Sequence, residues 1–401
     1  MKILFITSTS SAYIGGEAVY LENLLSALEE RGIEVRVIVL STINKIVSNY
    51  SDDPRIRMIL VKDLYTYTGL LARNMFYPYV YYKLRKEVRE FNPTVVHLQT
   101  VFYLKTVLLC LRNLPIIQSF NELSLVYPLF PVFFEHDPYT TYRGEIDFKQ
   151  MKKNGIKKRT VFIDHLLCSE QRFSKKYVRT FLCPSQYLLN EAHHAGFKNT
   201  LYLPYFQEDS TPYIKKEASK NPPYLLFVGR LEKIKGVDNL LHAFVQIHKE
   251  RPDVQLRIIG IGPLSESWQD LAHQLDIDTH VQFFGWVQKE KVFEYYQEAR
   301  AVIIPSIYPE TNPLVAFEAM RQGTPVIAYN VGGLPETVEH EYSGLVVKRF
   351  DIPGLAQACI RLIDDASLAH RFGTNGRNRL TERYSKKGHI DALIQIYDSL
   401  I

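Results

Sequence analysis

The chain has 401 residues, of which 46% are apolar and 23% charged, and its formal net charge is +5. This length exceeds what one hydrophobic core usually serves, so two domains are expected. The four cysteines have neither CxxC nor zinc-site spacing, which argues against a structural metal and favours a reducing compartment. The mild charge gives little support to a nucleic-acid partner.

The first half of the chain alternates predicted strands and helices from its beginning. Residues 3–6 are a predicted strand, and the loop 8–16 leads into an amphipathic helix that ends at Gly32. Further strands are predicted at 35–40, 94–98, 115–120 and 180–185. The N-terminal apolar run favours a strand over a signal peptide, and the longer apolar runs are interrupted, so a cytoplasmic protein without a transmembrane helix is expected.

A polar segment, residues 207–223, separates the two halves. It carries Asp, Ser, Pro, Lys and Asn with little apolar content, which is typical of a linker. Strands are then predicted at 224–229, 254–260, 281–284, 301–304, 325–328 and 344–347. The alternation predicts an α/β chain with two doubly wound domains, residues 1–206 and 224–383.

Two carboxylates, Glu310 and Glu318, stand eight residues apart after the predicted strand 301–304. Pro313 lies between them, where a helix is predicted to begin. The free N–H groups of a first helical turn attract phosphate, and Glu318 lies roughly 7–8 Å further along the helix axis. That is about the span from a diphosphate to a ribose. The segment therefore indicates a nucleotide site, with two ordinary surface acids as the alternative.

Other candidate residues follow predicted strands of the second half, at the edge where open α/β sheets bind ligands. Arg230 and Lys235 suit a diphosphate, because Arg offers a planar fork of donors and Lys a point charge. The alternative is a basic loop that is exposed to solvent and binds no ligand. Gly262 would allow close backbone approach, or is only part of a turn. The backbone at Trp286 and Val287 could pair with a planar base, and a strand-end turn explains them equally well.

Two stretches of the first half have compositions that suit surface contacts. Residues 149–179 hold ten Lys or Arg and only two acids. They could bind anionic lipid or a lipid-diphosphate acceptor, or they could form a basic helical face exposed to solvent. Residues 65–82 contain seven Tyr or Phe ahead of a basic cluster. They could rest on a membrane or hold an acceptor sugar, but packing within the first domain is favoured.

Taken in order, segments of the second half resemble the retaining glycosyltransferases of family 4, which have the GT-B fold. The segments are 227–231 with Lys235, then 259–263, 284–287, 305–306, 310–319, 323–328 and 332–336. In the first half the resemblance is thinner and rests on Gly15–Gly16, 95–97 and 184–185. It implies two Rossmann-like domains facing a central cleft, with a C-terminal helix at about 384–401 packing back on the first.

The resemblance also implies a role for each matching residue. Arg230 and Lys235 would neutralise the donor diphosphate in place of a metal, and Glu318 would hold the ribose. Glu310 would contact the donor hexose, and Gly16 would approach the diphosphate from the first domain. The further donor-binding residues implied are Gly229, Gly262, Trp286, Val287, Asn312, Pro313, Leu314 and Val315. No cofactor is implied, because the UDP- or GDP-sugar is itself the donor substrate.

One position departs from the family. After the predicted strand 115–120 the family usually has a His, often followed by Asp, whereas this chain has Asn121 and Glu122. Asn cannot act as a base, although its amide can hydrogen-bond a donor sugar. Glu122, His136 or the departing phosphate could take the acceptor proton instead, or the activity could be weakened or lost.

The predicted function is retaining transfer of a hexosyl-type sugar, without a metal, from a nucleotide-diphosphate sugar to a saccharide or lipid-linked saccharide. The expected setting is surface polysaccharide or glycolipid synthesis, with peripheral contact to the inner face of the cytoplasmic membrane. The alternatives are a GT-B-fold phosphorylase or nucleotide-sugar epimerase, and a donor- or glycan-binding protein without turnover.

Overall fold

The computed structural model divides the chain into two compact units, residues 1–206 with 386–401 and residues 207–385. The residues it describes are 1–8, 16–42, 53–61, 76–101, 103–121, 123, 126, 170–206 and 223–401. Each unit is built on a parallel β-sheet with α-helices between its strands, so the predicted α/β architecture is confirmed.

The described part of the first unit contains a seven-stranded parallel sheet in the order β3-β2-β1-β4-β5-β6-β7. The strands are β1 (Lys2–Ser8), β2 (Glu34–Thr42), β3 (Ile56–Val61), β4 (Val95–Leu98), β5 (Ile116–Ser119), β6 (Thr180–Cys183) and β7 (Thr200–Tyr202). Before residue 207 its helices include α1 (Gly16–Glu29), α2 (Pro78–Phe91), α3 (Leu104–Leu111) and α4 (Gln186–His194). The strand order reverses between β1 and β4, where open α/β sheets bind ligands.

The second unit contains a six-stranded parallel sheet in the order β10-β9-β8-β11-β12-β13. Its strands are β8 (Tyr224–Val228), β9 (Gln255–Ile259), β10 (Val281–Gly285), β11 (Ala301–Ile304), β12 (Val326–Tyr329) and β13 (Gly344–Val347). Its helices are α5 (Val237–Glu250), α6 (Ser265–Gln274), α7 (Lys289–Glu298), α8 (Leu314–Arg321), α9 (Leu334–Thr337), α10 (Ile352–Asp364) and α11 (Ala366–Arg383). Counted from β8, the order is that of a Rossmann fold, with the reversal between β8 and β11.

The central strands follow from their composition. β8 and β11 are nearly continuous apolar runs, because strands covered on both faces of a parallel sheet bury every side chain. Two edge strands, β3 and β7, are absent from the sequence prediction. β3 alternates buried and exposed residues around Arg57, and β7 is three residues long and mostly exposed, so neither has the apolar run of a central strand.

The C-terminal helix α12 (Lys386–Asp398) belongs to the first unit. Near its start, His389 Nε2 lies 2.9 Å from the Tyr20 hydroxyl of α1, and Nδ1 lies 2.7 Å from the Pro204 carbonyl oxygen. Near its end, the Tyr397 hydroxyl lies 2.6 Å from Nδ1 of His97 on β4. Buried polar contacts therefore fix both ends of α12 to the first sheet and its helices.

Both histidines are neutral in the folded chain at neutral pH. Burial and, to a smaller extent, the nearby His389 lower the pKa of His97 to about 3. Burial lowers the pKa of His389 to about 4, although the Pro204 carbonyl acts in the opposite direction.

No described helix has the length and apolar character needed to cross a bilayer.

We expect the free energy of unfolding to fall as the pH is lowered from 6.5 towards 4. In this window the unfolded chain binds more protons than the folded one, because folding keeps both histidines neutral. Each contributes up to about 1.4 kcal/mol per pH unit. In urea unfolding at pH 5 and pH 7, His389→Asn should reduce the difference between the two stabilities.

The control is His370→Asn, which replaces an exposed histidine of the second unit and should leave that difference unchanged. An equal pH dependence in His389→Asn and in the wild-type chain would contradict this origin.

Candidate functional site

Two loops meet at the strand reversal of the second sheet: residues 229–236 after β8 and residues 305–313 after β11. The Ile307 backbone N–H donates to the Ile234 carbonyl oxygen at 2.9 Å. Gly236 has a φ of +68°, and a Cβ atom there would overlap the Pro305 carbonyl oxygen. A glycine is therefore required for the two loops to approach this closely.

An ion pair links these loops. The Lys235 ammonium donates to Glu310 Oε1 at 2.6 Å, and the Ser306 hydroxyl donates to the same oxygen at 2.7 Å. The Lys235 and Glu310 side chains are only 24% and 19% exposed. Burial by itself would raise the pKa of Glu310, but the charge of Lys235 and the two hydrogen bonds outweigh it and hold the pKa below its usual value. Glu310 is therefore ionised at neutral pH.

Arg230 adds a second cation to the same region. Its guanidinium donates to Glu232 Oε1 at 2.8 Å, and its side chain is 60% exposed. Its charge also contributes to the low pKa of Glu310. Both predicted diphosphate ligands thus act on Glu310, Lys235 by direct contact and Arg230 through its charge, while their binding roles stay a prediction.

The start of α8 offers backbone donors next to this ion pair. The helix begins at Leu314 with Pro313 as the residue before it, so the proline lies one position earlier than predicted. The Ala316 N–H bonds to the Pro313 carbonyl, whereas the N–H groups of Leu314 and Val315 have no partner within the described residues. Asn312 Nδ2 is buried and also lacks a partner there. Such donors suit an anion.

Glu318 lies inside α8, where its Oε2 accepts a hydrogen bond from the Tyr296 hydroxyl at 2.8 Å. Tyr296 belongs to α7 and is fully buried. Burial raises the pKa of Glu318, against the opposing effects of the Tyr296 hydrogen bond and of the charges of Lys289 and Arg321. The carboxylate is thus a partly buried acceptor that a hydrogen bond from a neighbouring helix orients.

The loop after β12 supports the backbone of Glu310. The Gly333 N–H donates to the Glu310 carbonyl oxygen at 2.6 Å. Gly332 has a φ of +57°, and a Cβ atom there would overlap the Glu310 backbone. The sequence analysis assigned no contact to these glycines, so their contact with Glu310 is a new finding.

The other donor-site candidates of the second unit also follow carboxyl ends of its strands. Gly229 follows β8, and its N–H donates to the Ile259 carbonyl at 3.0 Å. A Cβ atom at Gly262 would overlap the Leu231 carbonyl oxygen, and the Gly262 N–H donates to Ser265 Oγ at 3.1 Å. The close approach predicted for Gly262 is therefore made to the loop after β8.

Trp286 and Val287 follow β10, the edge strand two places from β8. The Trp286 side chain is 64% exposed, and Val287 is half-buried. Their pairing with a base stays a prediction.

Among the described residues, no three metal-ligating side chains lie together.

In the first unit, Asn121 follows β5. Its amide Nδ2 donates to Gln99 Oε1 at 3.0 Å and to Thr100 Oγ1 at 3.4 Å, and the Tyr205 hydroxyl donates to its Oδ1. Gly16 is the first residue of α1. Glu122, His136 and the basic residues 149–169 lie outside the described residues.

The aromatic stretch at 65–82 is described from residue 76 onwards and divides between two environments. The Tyr77 ring stacks on Tyr103 with 5.3 Å between centroids, and the Tyr77 N–H donates to Thr106 Oγ1 at 2.9 Å. Tyr79 and Tyr82, on α2, are exposed. Packing within the first unit thus accounts for Tyr77 but not for the exposed pair.

Two family models match successive parts of the chain and together span most of it. The model described as Glycosyltransferase Family 4 matches residues 14–202, and the one described as Glycosyl transferases group 1 matches residues 209–379. The chain belongs to glycosyltransferase family 4. The resemblance drawn from its motifs is confirmed.

Curated relatives match over part of this family 4 chain. It is 34% identical over 173 residues to an uncharacterized glycosyltransferase of Methanocaldococcus jannaschii (43% of this chain, 44% of the relative). It is 32% identical over 186 residues to glycogen synthase of Mycobacterium tuberculosis (46% and 45%). It is 35% identical over 184 residues to D-inositol 3-phosphate glycosyltransferase of Corynebacterium kroppenstedtii (44% and 40%). The matched segments span less than half the length of these relatives.

Solved structures match over the whole chain. Sucrose-phosphate synthase from Thermosynechococcus elongatus has a TM-score of 0.75 at 21% identity, covering 100% of this chain and 99% of the other. HepE of Anabaena, in complex with UDP-glucose, has a TM-score of 0.74 at 18% identity and full coverage of both chains. The family 4 chain therefore has the GT-B fold, as predicted.

We expect Gly332→Ala to destabilise the second unit more than Gly285→Ala. Both glycines have positive φ, but a Cβ atom at Gly285 meets nothing within 4 Å, whereas one at Gly332 overlaps the Glu310 backbone. Gly285→Ala, the control, should lower the free energy of unfolding by about 1 kcal/mol, because alanine disfavours the left-handed conformation. Gly332→Ala should lower it by about 2–4 kcal/mol in total. Urea unfolding followed by tryptophan fluorescence reports the second unit, because both tryptophans lie there.

Equal free energies of unfolding for the Gly332→Ala and Gly285→Ala variants would show that the contact between the β12 loop and Glu310 does not contribute to stability.

Proposed function

We propose that this protein transfers a hexosyl-type sugar from a UDP- or GDP-sugar to a saccharide or lipid-linked saccharide, with retention of anomeric configuration and without a metal ion. The observation that carries the proposal is the arrangement at the strand reversal of the second sheet. There Lys235 pairs with an ionised Glu310, and the charge of Arg230 acts on the same carboxylate. N–H groups at the start of α8 have no acceptor among the described residues.

The two cations stabilise the leaving group. As the bond between the sugar and the diphosphate breaks, negative charge develops on the departing nucleoside diphosphate, and preorganised positive groups lower the barrier. Lys235 is already oriented by Glu310, and the N–H groups of Leu314 and Val315 add dipoles of the matching sign. These groups supply the charge that a divalent metal supplies in other transferases.

The carboxylates orient the donor by accepting hydrogen bonds. An ionised carboxylate is an acceptor only, so Glu310 binds hydroxyl groups of the donor sugar and Glu318 binds hydroxyl groups of the ribose. Trp286 and Val287 then contact the base. The similarity in fold to HepE, whose solved complex contains UDP-glucose, supports a nucleotide-sugar donor.

Retention follows if the acceptor hydroxyl attacks from the face that the phosphate leaves. The departing phosphate oxygen then takes the acceptor proton as the new glycosidic bond forms and the bond to phosphate breaks. This route needs no side-chain base, which suits Asn121, since an amide holds the donor sugar by hydrogen bonds but takes no proton.

Glycosyl transfer from radiolabelled UDP- and GDP-sugars to oligosaccharide and lipid-linked acceptors tests the proposal. We expect a product whose anomeric configuration, read by NMR, matches the donor, formed equally well in EDTA. Donor binding without transfer to any acceptor would refute a transferase. Interconversion of the free donor sugar would identify an epimerase, and dependence on inorganic phosphate a phosphorylase.

We expect Lys235→Ala and Arg230→Ala each to lower the transfer rate by about tenfold or more, because each removes a charge that stabilises the leaving diphosphate. Lys233→Ala is the matched control. Lys233 lies in the same turn but is exposed and pairs with Asp238, so its removal should leave the rate unchanged. Full activity of the Lys235→Ala or Arg230→Ala variant would refute the role of that cation.

We also propose that the first unit contacts an anionic membrane surface peripherally through α2. Tyr79 and Tyr82 are exposed on this helix, and Lys83 and Lys86 stand exposed beside them. Aromatic rings suit the interface of a bilayer, and each basic residue near an anionic surface contributes about 1 kcal/mol.

In co-sedimentation with phosphatidylcholine vesicles, adding phosphatidylglycerol should increase binding of the wild-type chain. Lys83→Glu should weaken this binding by about tenfold, since it reverses one charge at the surface. Lys249→Glu, on the exposed end of α5 in the second unit, is the control. Equal loss in both variants would indicate a non-specific charge effect and contradict a surface on α2.

A further inference from the structure

We propose that Tyr296 is a positioning residue that makes the donor site select ribose over deoxyribose, acting through Glu318. The inference rests on the proposed function, because it takes the nucleoside of a nucleotide-sugar as the ligand of Glu318. It adds a residue of α7, a helix to which the motifs assigned no role.

The Tyr296 hydroxyl is held in a fixed position. The side chain is fully buried, and its hydroxyl donates to Glu318 Oε2 at 2.8 Å. The Tyr296 backbone is fixed as well, since its carbonyl oxygen accepts a hydrogen bond from Thr324 Oγ1 at 2.6 Å. Neither the ring nor the backbone can move far without breaking these contacts.

This contact decides how Glu318 can be used. A carboxylate has two oxygens and several acceptor positions. With Oε2 bound to Tyr296, the plane of the carboxylate is fixed, and Oε1 has no hydrogen bond from any described residue. A ribose diol can then donate to an oriented acceptor without first ordering a flexible side chain.

An acceptor that is oriented for a hydroxyl and is shielded from water by the bound ligand discriminates against a ligand that lacks the hydroxyl. The penalty arises because the acceptor loses its water on binding and gains no donor in return. Without the Tyr296 hydroxyl, Glu318 would be less well oriented and less well stabilised as an anion. The preference for ribose should then decrease more than general nucleotide binding.

The alternative is that Tyr296 only fills the core between α7 and α8. Tyr295 separates the two explanations, since it is the next residue of α7 and its hydroxyl has no contact with Glu318 among those described. Its ring packs on Phe284, with 5.1 Å between centroids. Tyr295→Phe therefore removes the same hydroxyl group from the same helix without touching the proposed contact.

The test uses the full chain and calorimetric binding. UDP, GDP and ADP are compared first, and the diphosphate that raises the melting temperature most is then titrated together with its 2′-deoxy and 3′-deoxy analogues. We expect the wild-type chain to prefer the ribonucleotide by about tenfold or more over at least one analogue, as loss of a hydrogen bond to a charged group predicts.

In Tyr296→Phe this preference should fall to within about threefold, with affinity for that deoxy analogue unchanged, whereas Tyr295→Phe should keep the wild-type ratio. In a Glu318→Gln background, Tyr296→Phe should have no further effect on the ratio, because the two residues act as one unit. That second background keeps the proposal testable if Tyr296→Phe alone is too unstable to titrate.

The outcomes separate the two proposals. A wild-type ratio in Tyr296→Phe would overturn the role of Tyr296 and leave the transferase proposal intact. Equal binding of ribonucleotide and both deoxyribonucleotides by the wild-type chain would overturn the role of Glu318 as well. No binding of any of the three diphosphates would contradict the proposed function itself.

Discussion

The ion pair between Lys235 and Glu310 is the contact on which the candidate site of the second unit depends. It joins the loop after β8 to the loop after β11, the two strands between which the order of the sheet reverses. Both side chains are mostly buried, so the pair is screened by little water and leaving one partner unpaired would be costly. Ser306 and Arg230 then act on the same carboxylate, which explains why it stays ionised despite its burial.

Glycine makes this arrangement geometrically accessible. Gly236 lets the β8 loop approach the backbone of the β11 loop, and Gly332 lets the β12 loop approach Glu310 from another side. Each has a positive φ and each would clash if it carried a Cβ atom. The charged pair therefore depends on backbone contacts between three loops that are far apart in sequence, and not on the pair alone.

The sequence allowed the α/β architecture, the central strands and the family to be predicted, because buried parallel strands are apolar runs and the motifs lie in order along the chain. It did not reveal β3 and β7, whose half-exposed residues have no such run. Nor did it reveal the roles of Gly332 and Tyr296. Their significance lies in which residue they contact, and Tyr296 is 22 residues from Glu318 on another helix, a separation that no local pattern encodes.

The two units differ in how their polar groups respond to protons. In the described part of the first unit, Asn121 is held by Gln99 and Tyr205, and an amide has no charge at any ordinary pH. His97 and His389, the titratable histidines of the contacts that hold α12, have pKa values far below neutrality because of burial. This network is therefore neutral at neutral pH, where Glu310 of the second unit is ionised. The charges that the proposed mechanism assigns to the leaving group therefore belong to the second unit, and the amide of Asn121 cannot act as a base at any ordinary pH.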